Sequence, residues 1–250
     1  MVKVKDIVFG EGMPKICVPI TGTNKAGACS EAEYISTELK DAVDLVELRI
    51  DYLEEVCDAD GLQNVLRSVR KLLGNIPLLC TLRSAAEGGE LAVTEDEYEE
   101  ILKVCIASEA IDFLDVEYFR GRELFTRIVS DAHKHQVAVI ASNHDFSKTP
   151  EKEEIVKRLK AMESGGADIA KIAVMPNAKE DVLTLLEATA TAKKELEIPI
   201  VTISMGKTGL VTRLAGGTFG SCITFGVGRK ASAPGQIDAG KLKEILEIMS

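Results

Sequence analysis

A lysine inside an apolar segment has surroundings that suggest chemistry. Lys171 lies in the run Ile169–Val174, with Ala170 and Ile172 on either side. Desolvation of its amine, together with nearby cations, would lower its pKa and free the lone pair to attack a carbonyl carbon. The pattern therefore predicts either a Schiff-base lysine or a lysine held in a buried salt bridge.

A histidine and a glutamate follow two other apolar runs. His144 ends the segment Ala141-Ser-Asn-His144, where an imidazole can act as base and acid near neutral pH. Glu87 lies in the loop after Arg83. It either reaches the same cavity as His144 or remains a surface glutamate.

Charged residues alternate with apolar residues in several predicted strands. Parallel strands are covered on both faces, so their sequences should be almost entirely apolar. These charges are Glu47, Arg49, Asp51, Arg83, Asp115 and Glu117. Burying a charge is costly unless it is paired or functional. We therefore expect a polar cluster inside the fold, with structural ion pairs as the alternative role of Asp51 and Asp115.

Eight short apolar runs alternate with segments of helical period. The predicted strands are Lys15–Ile20, Leu45–Arg49, 78–82, Phe113–Glu117, 137–142, Ile169–Val174, Ile200–Ser204 and 222–225. Alternating strands and helices pair in parallel through right-handed crossovers, and eight such units in 250 residues have the size of a (β/α)8 TIM barrel. The rival is an open doubly wound sheet, but the first strand lacks the glycine-rich turn of dinucleotide-binding folds. We expect a single barrel domain over residues 1–250.

Two local features refine this prediction. The run 4–9 is expected to pair with Lys15–Ile20 as an N-terminal β-hairpin that closes the bottom of the barrel. Ser30 with Glu33, and Thr94 with Glu97, have the spacing of helix-capping boxes.

Composition limits the classes of function. The chain is 46% hydrophobic and 28% charged, which is typical of a globular protein. A formal net charge of −10 and the absence of Trp argue against nucleic-acid binding. No apolar stretch approaches the roughly 20 residues that span a bilayer, and residues 1–7 lack a signal-peptide pattern. Six cysteines without a C-x-x-C pair indicate reduced thiols, so we expect a cytoplasmic protein that does not bind membranes.

Two glycine motifs resemble phosphate sites. Gly206-Lys-Thr208 resembles the end of a P-loop, but Val201 stands where that loop needs a glycine, so a P-loop is rejected. Gly226-Val-Gly228 lies where many barrels bind phosphate, yet the small residues of 228–236 favour a mobile lid.

Motifs along nearly the whole chain resemble type I 3-dehydroquinate dehydratase, the Schiff-base lyase of the shikimate pathway. They are Glu47-Leu-Arg-Ile-Asp51, Thr81-Leu-Arg83, Glu87-Gly-Gly89, Ser142-Asn-His-Asp-Phe146, Ala170-Lys-Ile-Ala173, Ser204-Met-Gly206, Arg213, Gly220-Ser221, Thr224-Phe225 and Ala231-Ser-Ala-Pro-Gly-Gln236. Each motif alone is weak, but in this order they are highly specific.

The resemblance implies a catalytic role for three residues. Lys171 would condense with the C3 ketone of 3-dehydroquinate, and His144 would take a proton from C2 and return one to the departing C1 hydroxyl. This syn loss of water gives 3-dehydroshikimate, a step toward the aromatic amino acids. Glu87 would orient His144.

The resemblance also implies a set of substrate contacts: Glu47, Arg49, Arg83, Met205, Arg213, Phe225, Ser232, Ala233 and Gln236. It implies a homodimer as well. Because the lysine iminium supplies the electrophile and no His/Cys ligand spacing occurs, we expect neither a metal nor an organic cofactor.

Two alternatives remain at this stage. A class I aldolase would share Lys171 but usually handles phosphorylated substrates. A barrel that acts only as an interaction protein would leave Lys171 unreactive toward ketones.

Overall fold

The apolar runs form strands in the order in which they occur. The computed structural model describes residues 1–229 and 237–249. Its strands are β1 (Val2–Val4), β2 (Ile7–Phe9), β3 (Lys15–Ile20), β4 (Leu45–Arg49), β5 (Leu78–Thr81), β6 (Phe113–Glu117), β7 (Ala138–Asp145), β8 (Ile169–Val174), β9 (Ile200–Ser204), β10 (Ile223–Val227) and β11 (Ile237–Asp238). The eight predicted strands are β3 to β10, and their bounds agree with the prediction to within three residues.

Amphipathic helices follow the strands. They are α1 (Lys25–Glu38), α2 (Ala59–Leu73), α3 (Glu95–Ala107), α4 (Arg122–Lys134), α5 (Lys152–Ser164), α6 (Lys179–Glu195), α7 (Leu210–Phe219) and α8 (Ala239–Met249). In α2, for example, Leu62, Leu66 and Val69 share the buried face. Within residues 1–229 and 237–249, none of the helices combines the length and apolar character needed to cross a bilayer.

One predicted helix cap is confirmed and the other is wrong. The side chain of Thr94 accepts from the backbone N–H of Glu97 at 3.3 Å, and the Glu97 carboxylate accepts from that of Thr94 at 2.9 Å. Ser30 instead lies inside α1, which begins five residues earlier. Its N-cap is Asn24, whose side chain accepts from the backbone N–H of Gly27 at 3.0 Å. A capping residue nearer the preceding strand therefore determines this helix start.

The central sheet closes into a parallel barrel. Strands β3 to β9 pair in parallel in chain order, and β10 pairs with β3. A parallel bridge between Ile200 of β9 and Ser221, two residues before β10, closes the ring. The prediction of a TIM barrel is confirmed. The short β11, which pairs in parallel with β10 through Gly226 and Ile237, was not predicted.

A hairpin closes the bottom of the barrel, but its strands are not the predicted pair. β1 pairs antiparallel with β2, with Val4 opposite Ile7, and neither pairs with β3. Lys5 has a φ of 52°, the left-handed conformation that a tight hairpin turn requires. Phe9 packs edge-on against Phe113 at the start of β6, with the ring centroids 5.0 Å apart. The predicted hairpin is therefore present, although the predicted pairing was wrong.

Side chains from alternate strands stack in layers above this hairpin, as is typical of the fold. The two lower layers are apolar and comprise Leu45, Phe113, Ile169 and Ile223, then Cys17, Leu79, Ile140 and Val201. Two residues further along β4, β6, β8 and β10, the third layer comprises Glu47, Asp115, Lys171 and Phe225. The polar layer therefore lies above two apolar layers and faces the C-terminal mouth of the barrel.

Candidate active site

Lys171 occupies the polar layer with its amine among the other three members. Its Nζ lies 3.1 Å from Asp115 Oδ2 and 3.9 Å from Glu47 Oε1. It also lies 4.9 Å from the ring centroid of Phe225, close enough for a cation–π contact. The lysine side chain is only 5% exposed. Carboxylates and an aromatic face therefore surround a nitrogen that has little contact with solvent.

The charges nearest to Lys171 differ from those expected. We predicted cations beside the amine, whereas the closest charged groups are the carboxylates of Asp115 and Glu47. The guanidinium of Arg83 binds the other oxygen of Asp115 at 2.7 Å. The salt-bridge alternative thus describes the resting contact of Lys171. It is compatible with Schiff-base chemistry, because an ammonium must give up a proton before it attacks a carbonyl.

Glu87 holds His144 through both its backbone and its ring. Glu87 Oε2 accepts from the backbone N–H of His144 at 2.9 Å and lies 2.9 Å from ring Nδ1. When Glu87 is ionised it can only accept, so Nδ1 then carries the proton and Nε2 presents a lone pair. The Glu87 side chain is 11% exposed, which excludes the surface-glutamate alternative.

Burial sets the protonation state of this pair. Burial lowers the pKa of His144 well below its usual range, and the positive charge of Arg83 lowers it further. Burial also raises the pKa of Glu87 to about 7, although Arg83 opposes this shift. The imidazole is therefore neutral near pH 7, which is the form that can accept a proton at Nε2.

Arg83 binds carboxylates that contact Lys171 and His144. Its guanidinium contacts Asp115 at 2.7 Å, Glu117 at 3.1 Å and Glu87 at 3.4 Å. Burial disfavours the charge on Asp115, but Arg83 and Lys171 outweigh it and hold the pKa of Asp115 below its usual value. One buried guanidinium thus fixes the carboxylates that face both reactive side chains.

Two further charged residues of β4 have their own partners. Arg49 donates through Nε and Nη2 to both carboxylate oxygens of Asp51, at 2.8 and 2.7 Å. Glu47 Oε1 accepts from the hydroxyl of Thr81 at 2.9 Å. Asp51 therefore forms a structural ion pair, as the alternative proposed, and it holds Arg49 in a single orientation.

A pocket of about 200 Å³ opens above the polar layer. It is lined by Glu47, Arg49, Arg83, Glu87, Gly88, His144, Phe146, Lys171, Ala173, Ile203, Met205, Arg213 and Phe225. Nine of these are predicted site residues. The remaining three predicted residues, Ser232, Ala233 and Gln236, lie outside the described residues.

Four pocket residues were not predicted: Gly88, Phe146, Ala173 and Ile203. Ala173 and Ile203 lie two residues from Lys171 and Met205, so strand alternation could have identified them. Gly88 has a φ of +82°, and a Cβ there would lie 2.4 Å from the ring of Phe146. Any larger residue would have to displace that ring and would also be strained by the positive φ.

Arg213 enters the pocket from α7 rather than from a strand. It is 4% exposed, and burial lowers its pKa to about 10, so it remains cationic at neutral pH. Alternation along strands could not find it, because it belongs to a helix. Its signal is a lone charge in the otherwise uncharged sequence Leu-Val-Thr-Arg-Leu-Ala-Gly-Gly-Thr-Phe.

The pocket's polar groups suit an organic anion. Guanidinium groups bind carboxylates through paired hydrogen bonds, and an amine with a neutral imidazole suits covalent and proton-transfer chemistry. In residues 1–229 and 237–249, no group of three His, Cys, Asp or Glu side chains is arranged to hold a metal ion.

The fold and these side chains place the protein among the (β/α)8 barrel enzymes that use a buried lysine. A sequence profile described as type I 3-dehydroquinase matches residues 16–250. The chain belongs to this family, as the motifs indicated, and not to the aldolases or to the non-catalytic barrels considered above.

Individual relatives agree. A 3-dehydroquinate dehydratase of Listeria welshimeri is 49% identical over 248 residues, which cover 99% of this chain and 97% of the relative. The structure of type I 3-dehydroquinate dehydratase from Clostridium difficile, with covalently modified comenic acid, superposes with a TM-score of 0.94 at 45% identity, covering 99% of this chain and 96% of the other. The Geobacillus kaustophilus 3-dehydroquinate dehydratase gives a TM-score of 0.95 at 38% identity, with coverages of 99% and 95%.

Proposed function

We propose that Lys171, His144 and Glu87 carry out the conversion of 3-dehydroquinate to 3-dehydroshikimate. Family membership makes the protein a hydro-lyase of the shikimate pathway. The observation that carries the residue assignment is that a buried lysine and an imidazole held by Glu87 line the same small pocket.

The first stage is formation of the Schiff base. The ammonium of Lys171 passes a proton to a carboxylate, for which Asp115 at 3.1 Å is the nearest acceptor. The free amine then attacks the C3 carbonyl. The carboxylate returns its proton as the resulting carbinolamine loses one water, and a protonated imine, the iminium, remains. The ring of Phe225 and the carboxylates of the polar layer stabilise this cation. The iminium withdraws electrons and acidifies the neighbouring C2–H.

The second stage is elimination. Nε2 of His144 takes the C2 proton, and the electron pair of that bond moves into the iminium to form an enamine. The pair then returns to expel the C1 hydroxyl, which leaves as water with the proton that His144 carries. Hydrolysis of the product iminium releases 3-dehydroshikimate and restores Lys171. His144 ends as it began, because it first accepts and then returns one proton.

The remaining pocket residues bind the substrate. Arg213 is assigned to the carboxylate, because a guanidinium matches that group with two parallel hydrogen bonds. The polar edge comprises Glu47, Arg49 and Arg83, and the apolar walls comprise Met205 and Phe225. Lid contacts from Ser232, Ala233 and Gln236 are proposed from sequence alone.

Borohydride trapping tests the two central roles. Borohydride added with substrate should reduce the imine and leave a stable adduct on Lys171, whereas Lys171→Ala should form none. His144→Ala should still form the adduct yet turn over about 10²–10⁴-fold more slowly, the usual contribution of a general acid–base group.

A matched control uses Lys207, an exposed lysine in the loop after β9. Lys207→Ala should leave both adduct and turnover unchanged. An adduct mapped to a lysine other than Lys171, or near-normal turnover of His144→Ala, would overturn the roles even if dehydratase activity were found.

We further propose that residues 1–250 form one catalytic domain in a cytoplasmic homodimer. One sheet that runs from β3 to β11 supports the single domain. All six cysteines are free, which is usual for the reducing cytoplasm. The dimer rests on the family resemblance, and light scattering after size exclusion should give the mass of two chains. The mass of one chain would refute it.

A further inference from the structure

Glu87 has a second partner that faces away from the pocket. Asn143 donates from Nδ2 to Glu87 Oε1 at 3.2 Å, while His144 occupies Oε2. Asn143 precedes His144 on β7, so its side chain points outward between strand and helices while that of His144 points inward. On that outer side, Arg158 of α5 donates to Asn143 Oδ1 at 3.0 Å.

Arg158 determines which way the Asn143 amide faces. A guanidinium has only donors, so the amide oxygen must face Arg158 and the amide NH2 must face Glu87. The reversed amide would place its NH2 against a cation and its oxygen against a carboxylate. Arg158 itself is held by Glu154 at 2.9 Å and stacks near the ring of Phe119 at 5.7 Å.

We propose that Asn143 and Arg158 are positioning residues for proton transfer: Arg158 orients the Asn143 amide, which holds Glu87 as the carboxylate that orients His144. The chain of contacts runs from an outer helix to the imidazole in three hydrogen bonds. This inference rests on the function proposed above.

The role has a consequence for the charge of Glu87. Other groups that act on it are Arg83, Asp115 and Glu117, with Glu95 and Arg120 lining the adjoining cavity. The Asn143 hydrogen bond favours the carboxylate, so its loss raises the pKa of Glu87 from its value of about 7. A protonated Glu87 would donate to Nδ1 and force the proton of His144 onto Nε2. The acid limb, which is the fall of kcat/KM toward low pH, should therefore move to higher pH.

Asn143→Leu tests this directly, because leucine has a similar shape and no donor. If the Glu87 pKa rises by about one unit, the carboxylate fraction at pH 7 falls from about a half to about a tenth, so kcat/KM falls about fivefold. At pH 9 kcat/KM should return to nearly the parent value. Arg158→Met should shift the limb in the same direction by less, and Arg158→Lys, which keeps a donor, should restore it.

Lys157→Met is the matched control, since it removes an exposed cation from the same turn of α5. It should leave the limb in place. An unshifted limb in both Asn143→Leu and Arg158→Met, or a loss of activity equal at pH 7 and pH 9, would show that the pair is merely structural.

A readout without substrate separates this inference from the proposed function. In 15N NMR spectra at pH 7, about half of the His144 rings should be in the Nδ1–H form in the parent protein, and only about a tenth in Asn143→Leu. Identical spectra would overturn the inference even in an active enzyme. A parent protein that leaves 3-dehydroquinate unchanged would overturn the proposed function alone.

Discussion

Replacing Arg83 with methionine would leave Asp115 and Glu117 without their shared cation. Both carboxylates are buried, and Arg83 contacts them at 2.7 and 3.1 Å. Methionine fills a similar volume without donors, so the change isolates the charge. Removing one partner of a buried ion pair typically costs 3–5 kcal/mol, because the remaining charge stays uncompensated.

The surroundings place this variant at the lower end of that range. Asp115 keeps Lys171 at 3.1 Å, and Glu117 keeps the backbone N–H of Ser84 at 2.8 Å. We therefore expect the free energy of unfolding to fall by about 3 kcal/mol at pH 8. With a urea slope of about 3 kcal/mol/M, the unfolding midpoint should fall by about 1 M.

The loss should depend on pH. In the parent protein, Arg83 and Lys171 hold the pKa of Asp115 below its usual value, so its charge stabilises the fold above the unfolded pKa and this contribution is lost as pH falls. Without Arg83, only Lys171 and the Ser142 hydroxyl oppose the effect of burial, so the folded pKa of Asp115 is higher than in the parent protein. The variant's deficit therefore grows as pH rises through that raised value, and it should be smaller at pH 5.5 than at pH 8.

Urea titrations at both pH values measure this deficit. Arg127→Met is the control, because Arg127 forms the same kind of pair with Glu99 but is 57% exposed, where a salt bridge contributes at most about 1 kcal/mol. Adding Asp115→Asn to the Arg83 variant should recover part of the loss. If Arg83→Met lost no more than Arg127→Met, or lost the same amount at both pH values, the electrostatic reasoning would be refuted.

Three other outcomes are expected. Below pH 7, kcat/KM should fall about tenfold per pH unit, because protonation of Glu87, whose pKa is about 7, removes the acceptor that holds Nδ1 of His144; a flat profile between pH 5.5 and 7 would contradict this. Arg213→Lys should raise KM about tenfold while the melting temperature stays close to that of the parent, since lysine cannot bind a carboxylate through two parallel bonds; equal losses of binding and stability would make Arg213 structural. Chelator-treated protein should keep its activity, and recovery of lost activity on adding a divalent metal would argue against a metal-free mechanism.

Strand alternation explains how much of the site could be read from the sequence. A period of two places Glu47 and Arg49 on one face of β4, and Lys171 on the corresponding face of β8. Parallel strands of a barrel bring those faces to a common interior, so a buried polar cluster was predictable. The bounds of β4, β6 and β8 followed from the same apolar runs.

Pairing inside the cluster was not predictable in this way. Asp115 and Lys171 are 56 residues apart and lie on β6 and β8, with β7 between them. Only the stacking of alternate strands into one layer brings them together. Alternation shows that a side chain points inward but not which charge it meets. A salt bridge at Lys171 was one of the two predictions, but Asp115 and Glu47 were not identified as its partners.

The other differences between the prediction and the structure lie in loops and helices. The hairpin turn at Lys5 lacks the Asn-Gly or Asp-Gly pair that marks such turns, so its strands were assigned to one longer run. Arg213 lies on α7, where strand periodicity has no meaning, and only the family resemblance indicated it.

The hairpin closes the lower end of the barrel and so limits the routes by which water can enter and leave the pocket. Condensation at Lys171 releases one water, elimination releases a second, and hydrolysis of the product imine consumes one. The side chains of the two layers beneath Lys171 are apolar and offer little to hold a water molecule there. In the described residues, water must therefore use the C-terminal mouth, which substrate and product also use. The hydrolytic water and the departing product therefore pass through the same end of the barrel, in opposite directions.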